Sequence, residues 1–318
     1  LGGKMDAPHC GPASARVLTT PRYSAYLRIA DGCNNRCTYC AIPLIRGNLV
    51  SEPIEELVDE AKRLAAGGVT ELTLIAQDTS GYGMDLYGKP MLSELLTRLE
   101  QIESLRWLRV LYTYPDTVTP ELIDRFRTGG KITPYLDMPL QHTEDEMLLR
   151  MHRRGDQAHI KRVLDYVAKN APEFMLRTTL MVGFPGETEA HFTAMLQFIK
   201  DHPFDRVGAF TFSPEEGTAA AVLPDQVPEE IKQERLSRLM AAQQPISRAR
   251  NERRVGQLVD VLIEGTESGR AFGRSYAEAP DVDGKIYLEH AGNLTAGSYV
   301  PARLIRAEEY DMIGELII

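Results

Sequence analysis

Three of the chain's four cysteines fall within eight residues, CNNRCTYC, from Cys33 to Cys40. Thiolates hold soft and borderline metals, and gaps of three and then two residues let one loop wrap around a single centre. Structural zinc and cuboidal iron–sulfur clusters usually take four protein ligands, so the fourth position is the question. For zinc, Cys10, His142 and His152 are candidate fourth ligands, but none sits at finger-like spacing. Three buried thiols without metal are the plainest alternative. The spacing favours an iron–sulfur cluster that keeps one iron open to a ligand from outside the protein.

Other residues stand out against their surroundings. Gln77, Asp78 and Thr79 end the apolar run LTLIA with three polar side chains, which suits ligand contact or, for Asp78 and Thr79, helix capping. Arg177 lies inside the apolar FMLRTTLMV and needs an anionic partner, from a ligand or from the protein. Gln141 and His142 close PYLDMPLQH, facing a substrate or filling the core. In VGFPGE, Gly183 and Gly186 permit a tight turn and a close backbone approach. Arg46, in PLIRG beyond the cysteines, suits a surface ion pair.

The elements that must position these residues alternate in kind. Strand-like runs at 24–30, 70–77, 106–113, 134–139, 174–182 and 205–212 are separated by helix-period stretches at 52–68, 91–102, 120–130, 144–154, 158–171 and 188–201. Six successive βα units imply parallel strands with right-handed crossovers. The glycine fingerprint of a dinucleotide fold is missing after the first strand, so a partial (β/α)6 barrel is expected, with CNNRCTYC in its first βα loop. Residues 226–254 read as a long, charged connecting helix, solvated and packed along one stripe. After Gly256 short alternating runs with glycine turns predict a small all-β, OB-like barrel. The expected division is a leader at 1–20, the partial barrel at 21–225, the helix at 226–254 and the small barrel at 255–318.

The 318 residues are 43% hydrophobic with a formal net charge of −9. No apolar run reaches the roughly 18 residues of a membrane span, so no membrane association is expected. The cysteine spacing is unlike a disulfide framework and points to a reducing, cytoplasmic setting with no disulfide partner. The start, LGGKMDAPHC, does not begin with Met and suggests a truncated or processed chain.

The C-x-x-x-C-x-x-C spacing after a first barrel strand, with Tyr39 before the third cysteine, resembles the radical SAM superfamily. AYLRIADGCNNRCTYCAIPLIRG, LIAQDTSGYGMDLYG, YLDMPLQH, LRTTLMVGFPGETE and FSPEEGT follow the order found in its methylthiotransferases, and the C-terminal segment resembles their TRAM domain. SYAEAPDVDG and EYDMIGE are similar to the branch that modifies a ribosomal protein, with a tRNA-modifying branch as the alternative. The resemblance implies a 4Fe–4S cluster on Cys33, Cys37 and Cys40, with S-adenosyl-L-methionine on the open iron. It also implies contacts to that cofactor from the Tyr39 backbone carbonyl, Gln77, Asp78, Thr79, Gly183 and Gly186, and from Arg177 to its methionyl carboxylate. Gln141 and His142 are tentative substrate contacts. The implied partners are ribosomal protein S-twelve or the small ribosomal subunit, and a one-electron reductant such as flavodoxin or ferredoxin. Members of the family carry a second 4Fe–4S cluster on an N-terminal domain with three further cysteines. That domain is not among these residues, and Cys10 alone cannot replace it.

Charge adds an independent expectation. From Val255 onward there are eleven acidic and five basic residues, a balance of −6. Such a module repels a phosphate backbone and attracts a basic protein.

Overall fold

A computed structural model describes residues 17–128, 130–290, 292 and 294–317. Cys10 and most of the expected leader lie outside the described residues. Six strands follow one another around the first domain: β1 (Ser24–Arg28), β2 (Glu71–Ile75), β3 (Trp107–Val110), β4 (Tyr135–Asp137), β5 (Met175–Val182) and β6 (Arg206–Thr211). β1–β2–β3 and β4–β5–β6 are parallel sheets. The two join where the Leu108 amide donates to the Lys131 carbonyl (2.8 Å) and the Thr133 amide to the Leu108 carbonyl (2.9 Å). Sequential parallel strands wound with helices outside form the expected partial barrel.

The helices form where the periodicity places them. α1 (Ile54–Ala66) buries Ile54, Leu57, Val58, Ala61, Leu64 and Ala65 along one stripe, carries Glu55 and Glu56 in its first turn, and stops at Gly67. α2 (Leu92–Glu100), α3 (Pro120–Thr128), α4 (Asp145–Arg150), α5 (Gln157–Asn170) and α6 (Glu189–Asp201) complete the outer layer. Asp156 caps α5 by accepting from the His159 amide (2.7 Å), and Thr188 with His191 makes a capping box for α6.

α7 (Glu229–Glu252) is the connecting helix, packed along one stripe, and the chemistry of that stripe is unusual. Its buried face is Lys232, Arg235, Leu239, Gln243, Ser247 and Asn251, almost entirely polar. Each of these polar side chains has at least one hydrogen-bond partner, although Gln243 Oε1 and Arg235 Nε are buried without one among the described residues. Lys232 Nζ donates to the Phe212 carbonyl (2.9 Å), Gln243 to the Phe204 carbonyl (3.0 Å) and Ser247 to the Asp205 carbonyl (2.9 Å). The helix thus supplies donors to carbonyls at both ends of β6.

Beyond α7, strands β7 (Leu258–Glu267), β8 (Arg270–Arg274), β9 (Ile286–Glu289), β10 (Tyr299–Ala307) and β11 (Met312–Leu316) close a barrel in the order β8-β9-β11-β10-β7. Val261, Ile263, Ile286, Leu288, Leu304 and Met312 fill it. The connection from β8 to β9, residues 275–284, enters the N-terminal end of the first barrel. Ala277 and Ala279 pack there with Leu111, Tyr135 and Met175. Tyr26 donates to Asp281 (2.9 Å), Tyr135 to Asp283 (2.6 Å), and Arg109 Nη1 to the Tyr276 carbonyl (2.9 Å).

Charge locks this junction. Glu71, wholly buried, accepts from Arg274 at 2.6 and 3.0 Å and from Ser24 at 3.1 Å, with Arg109 at 3.5 Å. Glu278, also buried, pairs with Arg254 and accepts from the Ser275 hydroxyl (2.7 Å). Asp260 meets Arg106 at 2.6 Å, and Glu264 meets Arg274 at 2.7 Å. Of the eleven acids counted in this module, Glu278 and Asp283 are buried at the junction, while Asp260 and Asp281 bridge it at its exposed rim. Among the described residues no helix is long and apolar enough to cross a membrane.

Removing one partner of a buried pair leaves an uncompensated charge. Glu71→Gln is expected to cost about 3–5 kcal/mol in urea unfolding. Burial works against ionisation of Glu278, but Arg254 outweighs it and holds the carboxyl down at about 2, against an ordinary 4.5. A lowered folded value stabilises at neutral pH, and that contribution fades as pH falls from about 4.5 towards 2. Acid titration of the thermal midpoint should show the loss in that window, and Glu278→Gln should flatten it.

Candidate cofactor site

The C-terminal ends of the first four strands surround a cavity of about 560 Å³. The loop after β1 contributes Cys33, Asn35, Cys37, Tyr39 and Cys40, and the end of β2 contributes Gln77. Tyr112, Thr113 and Tyr114 follow β3, Pro139 and Gln141 follow β4, and Arg153 follows α4.

The cysteine loop is held by its backbone and its neighbours. Gly32, at φ +69°, passes so close to Asn48 that a Cβ would lie 2.1 Å from its carbonyl oxygen. The Cys33 amide donates to the Gly47 carbonyl (3.2 Å) and the Cys40 amide to the Cys37 carbonyl (3.0 Å). Thr38 bonds by its amide to Met151 and by its hydroxyl to Arg150 (both 3.0 Å), and its carbonyl accepts from the Ala220 amide (2.8 Å). Among the described residues no three His, Cys, Asp or Glu side chains gather around a single ion. A cubane asks for something else, because each thiolate takes a different iron. Burial pushes the Cys33 and Cys40 thiols up from their ordinary values.

Arg153 and Tyr114 were not singled out by the sequence, yet both meet Cys37. Arg153 Nη1 lies 4.0 Å from Cys37 Sγ and 3.4 Å from the Tyr39 hydroxyl, and its guanidinium covers the Tyr114 ring at 4.1 Å. The Tyr114 hydroxyl is 3.7 Å from the same sulfur. Donors and positive charge beside a ligating sulfur are among the protein's means of tuning a cluster. No spacing rule links position 153 to the cysteines; the link is made by the turn after α4.

The other candidate residues divide. Gln77 and Gln141 line the cavity, and the side-chain oxygen of each is buried with no hydrogen-bond partner among the described residues. Two orphaned acceptors beside three thiols fit a ligand rich in donors. S-adenosylmethionine supplies an ammonium group and ribose hydroxyls, so the residues present suit both groups the resemblance implies. Tyr39 lines the cavity and packs edge-on against Phe184, in an apolar wall with Met147, Met151, Met181 and Phe212.

Asp78, Thr79, His142, Arg177, Gly183 and Gly186 stand behind the cavity and do not line it. Asp78 accepts from Asn35 (2.8 Å), Ser80 (2.7 Å) and the Gly81 amide (3.0 Å), tying the cysteine loop to the next one. The Thr79 hydroxyl donates to the Leu111 carbonyl (2.7 Å). His142 does not share the cavity with Gln141, whose left-handed backbone (φ +69°) turns the chain between them. Its Nδ1 accepts from the amides of Thr143 (3.0 Å) and Glu144 (3.1 Å), leaving Nε2 to carry the proton, 3.5 Å from Glu187. Glu187 also accepts from the Gly183 amide (3.0 Å) and Arg235 (2.7 Å). A Cβ on Gly183 would meet the Lys232 stem at 2.3 Å, and one on Gly186 the Arg150 guanidinium at 2.6 Å. The space beside each glycine is taken by a protein side chain. Arg177 pairs with Asp137 at 2.8 Å, the structural partner that was the alternative to a cofactor carboxylate.

A six-strand partial barrel with a thiol-lined cavity at its carboxyl edge, followed by a closed five-stranded barrel, defines a radical SAM enzyme with an appended TRAM-type domain. The Radical SAM superfamily model matches residues 27–199 and the TRAM domain model 255–317. The chain is 46% identical over 300 residues to the ribosomal protein uS12 methylthiotransferase RimO of Thermoanaerobacter sp. strain X514, covering 94% of this chain and 69% of that one. It is 47% identical over 306 residues to RimO of Pelotomaculum thermopropionicum, with 95% and 69% covered. Among solved structures, coproporphyrinogen III oxidase HemN of Escherichia coli shares the fold, with a TM-score of 0.53, 14% identity, and 90% of this chain and 67% of that one covered. The methyltransferase TsrM of Kitasatospora setae aligns with a TM-score of 0.52, 15% identity, and 63% and 38% covered. The chain belongs to the RimO family of radical SAM methylthiotransferases.

Asp78 offers a direct test of how the loops cooperate. Asp78→Ala unties Asn35 without touching a thiol, and outer-shell changes of this kind typically cost tenfold or more in metal affinity. After anaerobic reconstitution, iron should leave to a chelator about tenfold faster, with the thermal midpoint little changed.

Proposed function

We propose that this chain carries the radical chemistry of methylthio transfer to the β-carbon of an aspartate in ribosomal protein uS12. The supporting observation is the grouping of Cys33, Cys37 and Cys40 with the orphaned Gln77 and Gln141 oxygens on one cavity, in a chain 46% identical to a RimO relative. In this reading the three cysteines hold a 4Fe–4S cluster, and the cavity beside it takes S-adenosylmethionine. When bound, the cluster supplies one electron to the sulfonium, releasing methionine and a 5′-deoxyadenosyl radical able to remove hydrogen from an unactivated carbon.

The chain's own residues orient and enclose. Gln77 and Gln141 accept from the ligand's ammonium or hydroxyl groups, and the Tyr39 backbone carbonyl receives the adenine amine. Met147, Met151, Met181, Phe184 and Phe212 form a dry wall behind Tyr39 and keep water from a reactive carbon centre. Glu187, Arg235 and Lys232 brace the Gly183–Gly186 turn from outside. A second cluster on an N-terminal domain is the sulfur source in this reading, and flavodoxin or ferredoxin in the cytoplasm is the electron donor. The division at 21–225, 226–254 and 255–318 belongs to the same reading, supported by the two family matches.

Anaerobic reconstitution with iron and sulfide should give close to four irons per chain, and dithionite with S-adenosylmethionine should then release 5′-deoxyadenosine. Replacing any of the three cysteines by Ala should abolish both. One zinc per chain and no iron would overturn the proposal.

A further inference from the structure

Tyr112 lines the cavity with a backbone φ of +64°, a left-handed conformation that a bulky side chain adopts only when its surroundings impose it. Thr79 holds the Tyr112 carbonyl by its amide and hydroxyl (both 3.0 Å), and the remaining contacts come from below. The Tyr112 amide donates to Asp137 Oδ2 (2.9 Å), and Thr113 gives its amide (2.9 Å) and hydroxyl (2.6 Å) to the Asp137 carbonyl. Asp137 Oδ1 accepts from Arg177 Nη1 (2.8 Å). Arg177 Nε lies 4.0 Å from Asp283 Oδ1, while Asp283 Oδ2 accepts from the Tyr135 hydroxyl (2.6 Å) and the Ala279 amide (2.8 Å). The side chains of Asp137 and Asp283 are 0% and 1% exposed, so each must be fully partnered. A line of contacts therefore runs from a loop of the C-terminal barrel, through two buried carboxylates and the arginine between them, to the backbone of a cavity-lining residue.

We propose that Asp283 is a positioning residue of the cofactor cavity: acting through Arg177 and Asp137, it holds Tyr112 in its left-handed conformation and so shapes the cavity wall. The C-terminal barrel is then part of the reaction chamber as well as an attached module. Without the Asp283 charge Arg177 Nε loses its anchor, so the guanidinium can turn and draw Asp137 away from the Tyr112 amide, and Tyr112 relaxes to negative φ, carrying its ring out of the wall. The consequence for catalysis rests on reading the cavity as the S-adenosylmethionine site.

Asp283→Asn keeps the shape and removes the charge. Hydrogen-exchange mass spectrometry of the whole chain should show amides 111–114 exchanging about tenfold faster, the effect of losing one hydrogen bond to a charged group, while α2 and β9 are unchanged. In the reconstituted protein the apparent KM for S-adenosylmethionine in 5′-deoxyadenosine release should rise about tenfold, with kcat within about twofold. If exchange rises everywhere because the variant is globally loosened, Tyr135→Phe, which deletes only the hydroxyl holding Asp283, takes its place with the same local expectation. Unchanged exchange at 111–114, or faster exchange there with KM unmoved, overturns the proposal. Absence of 5′-deoxyadenosine from the unaltered protein would instead defeat the cofactor reading, and the exchange result would still decide whether Asp283 holds Tyr112.

Discussion

Glu71 is a carboxylate shut away from water at the closed end of an incomplete barrel, and the rest of the molecule is arranged around keeping it charged. Burial alone would favour the neutral acid, but Arg274, Arg109 and Ser24 outweigh it and hold Glu71 below the usual carboxylate range. Arg109 comes from the neighbouring strand, while Arg274 comes from the second domain, 203 residues along the chain. The first barrel therefore takes part of its interior from the second domain. A six-stranded partial barrel cannot fill its lower end from its own side chains, and the segment at 275–284 supplies the missing layer.

The same arrangement separates two environments within one barrel. The lower half is occupied by compensated charges, where every carboxylate faces a guanidinium or a phenol. The upper half is left open as a cavity with thiols on one wall, an apolar wall behind Tyr39, and two amide oxygens without partners. Packing below and vacancy above follow from where the loops are long. The connection after β1 wraps back over the strand ends and is pinned by hydrogen bonds from Thr38, Asn35 and the Cys33 amide. Rigid support of this kind matters for radical chemistry, because a reactive carbon centre must meet its target before it meets solvent.

α7 gives the edge of the barrel a different treatment. The helix presents Lys232, Gln243 and Ser247 to carbonyls around β6, with Arg235 braced against Glu187. The packed stripe is therefore mostly polar, with Leu239 buried and Leu236, Ala242 and Ile246 at its margin.

Local patterns were enough for the alternation of strands and helices, the small closed barrel at the C-terminus, and the placement of Cys33, Cys37 and Cys40 in the first βα loop. Period, turn residues and ligand spacing act over a few residues, so they are visible in the chain itself. Gln77 and Gln141 could be picked out for the same reason, as polar residues at strand ends. The roles of Arg153, Tyr114 and Tyr112 could not, because their contacts with the site are made by elements 70 or more positions from the cysteines. Arg177 and His142 were visible as polar residues in apolar runs, but the direction each side chain takes is settled by what packs behind the strand. Asp137 and Glu187 are those partners, and long-range neighbours of that kind exist only once six strands have closed around a common interior.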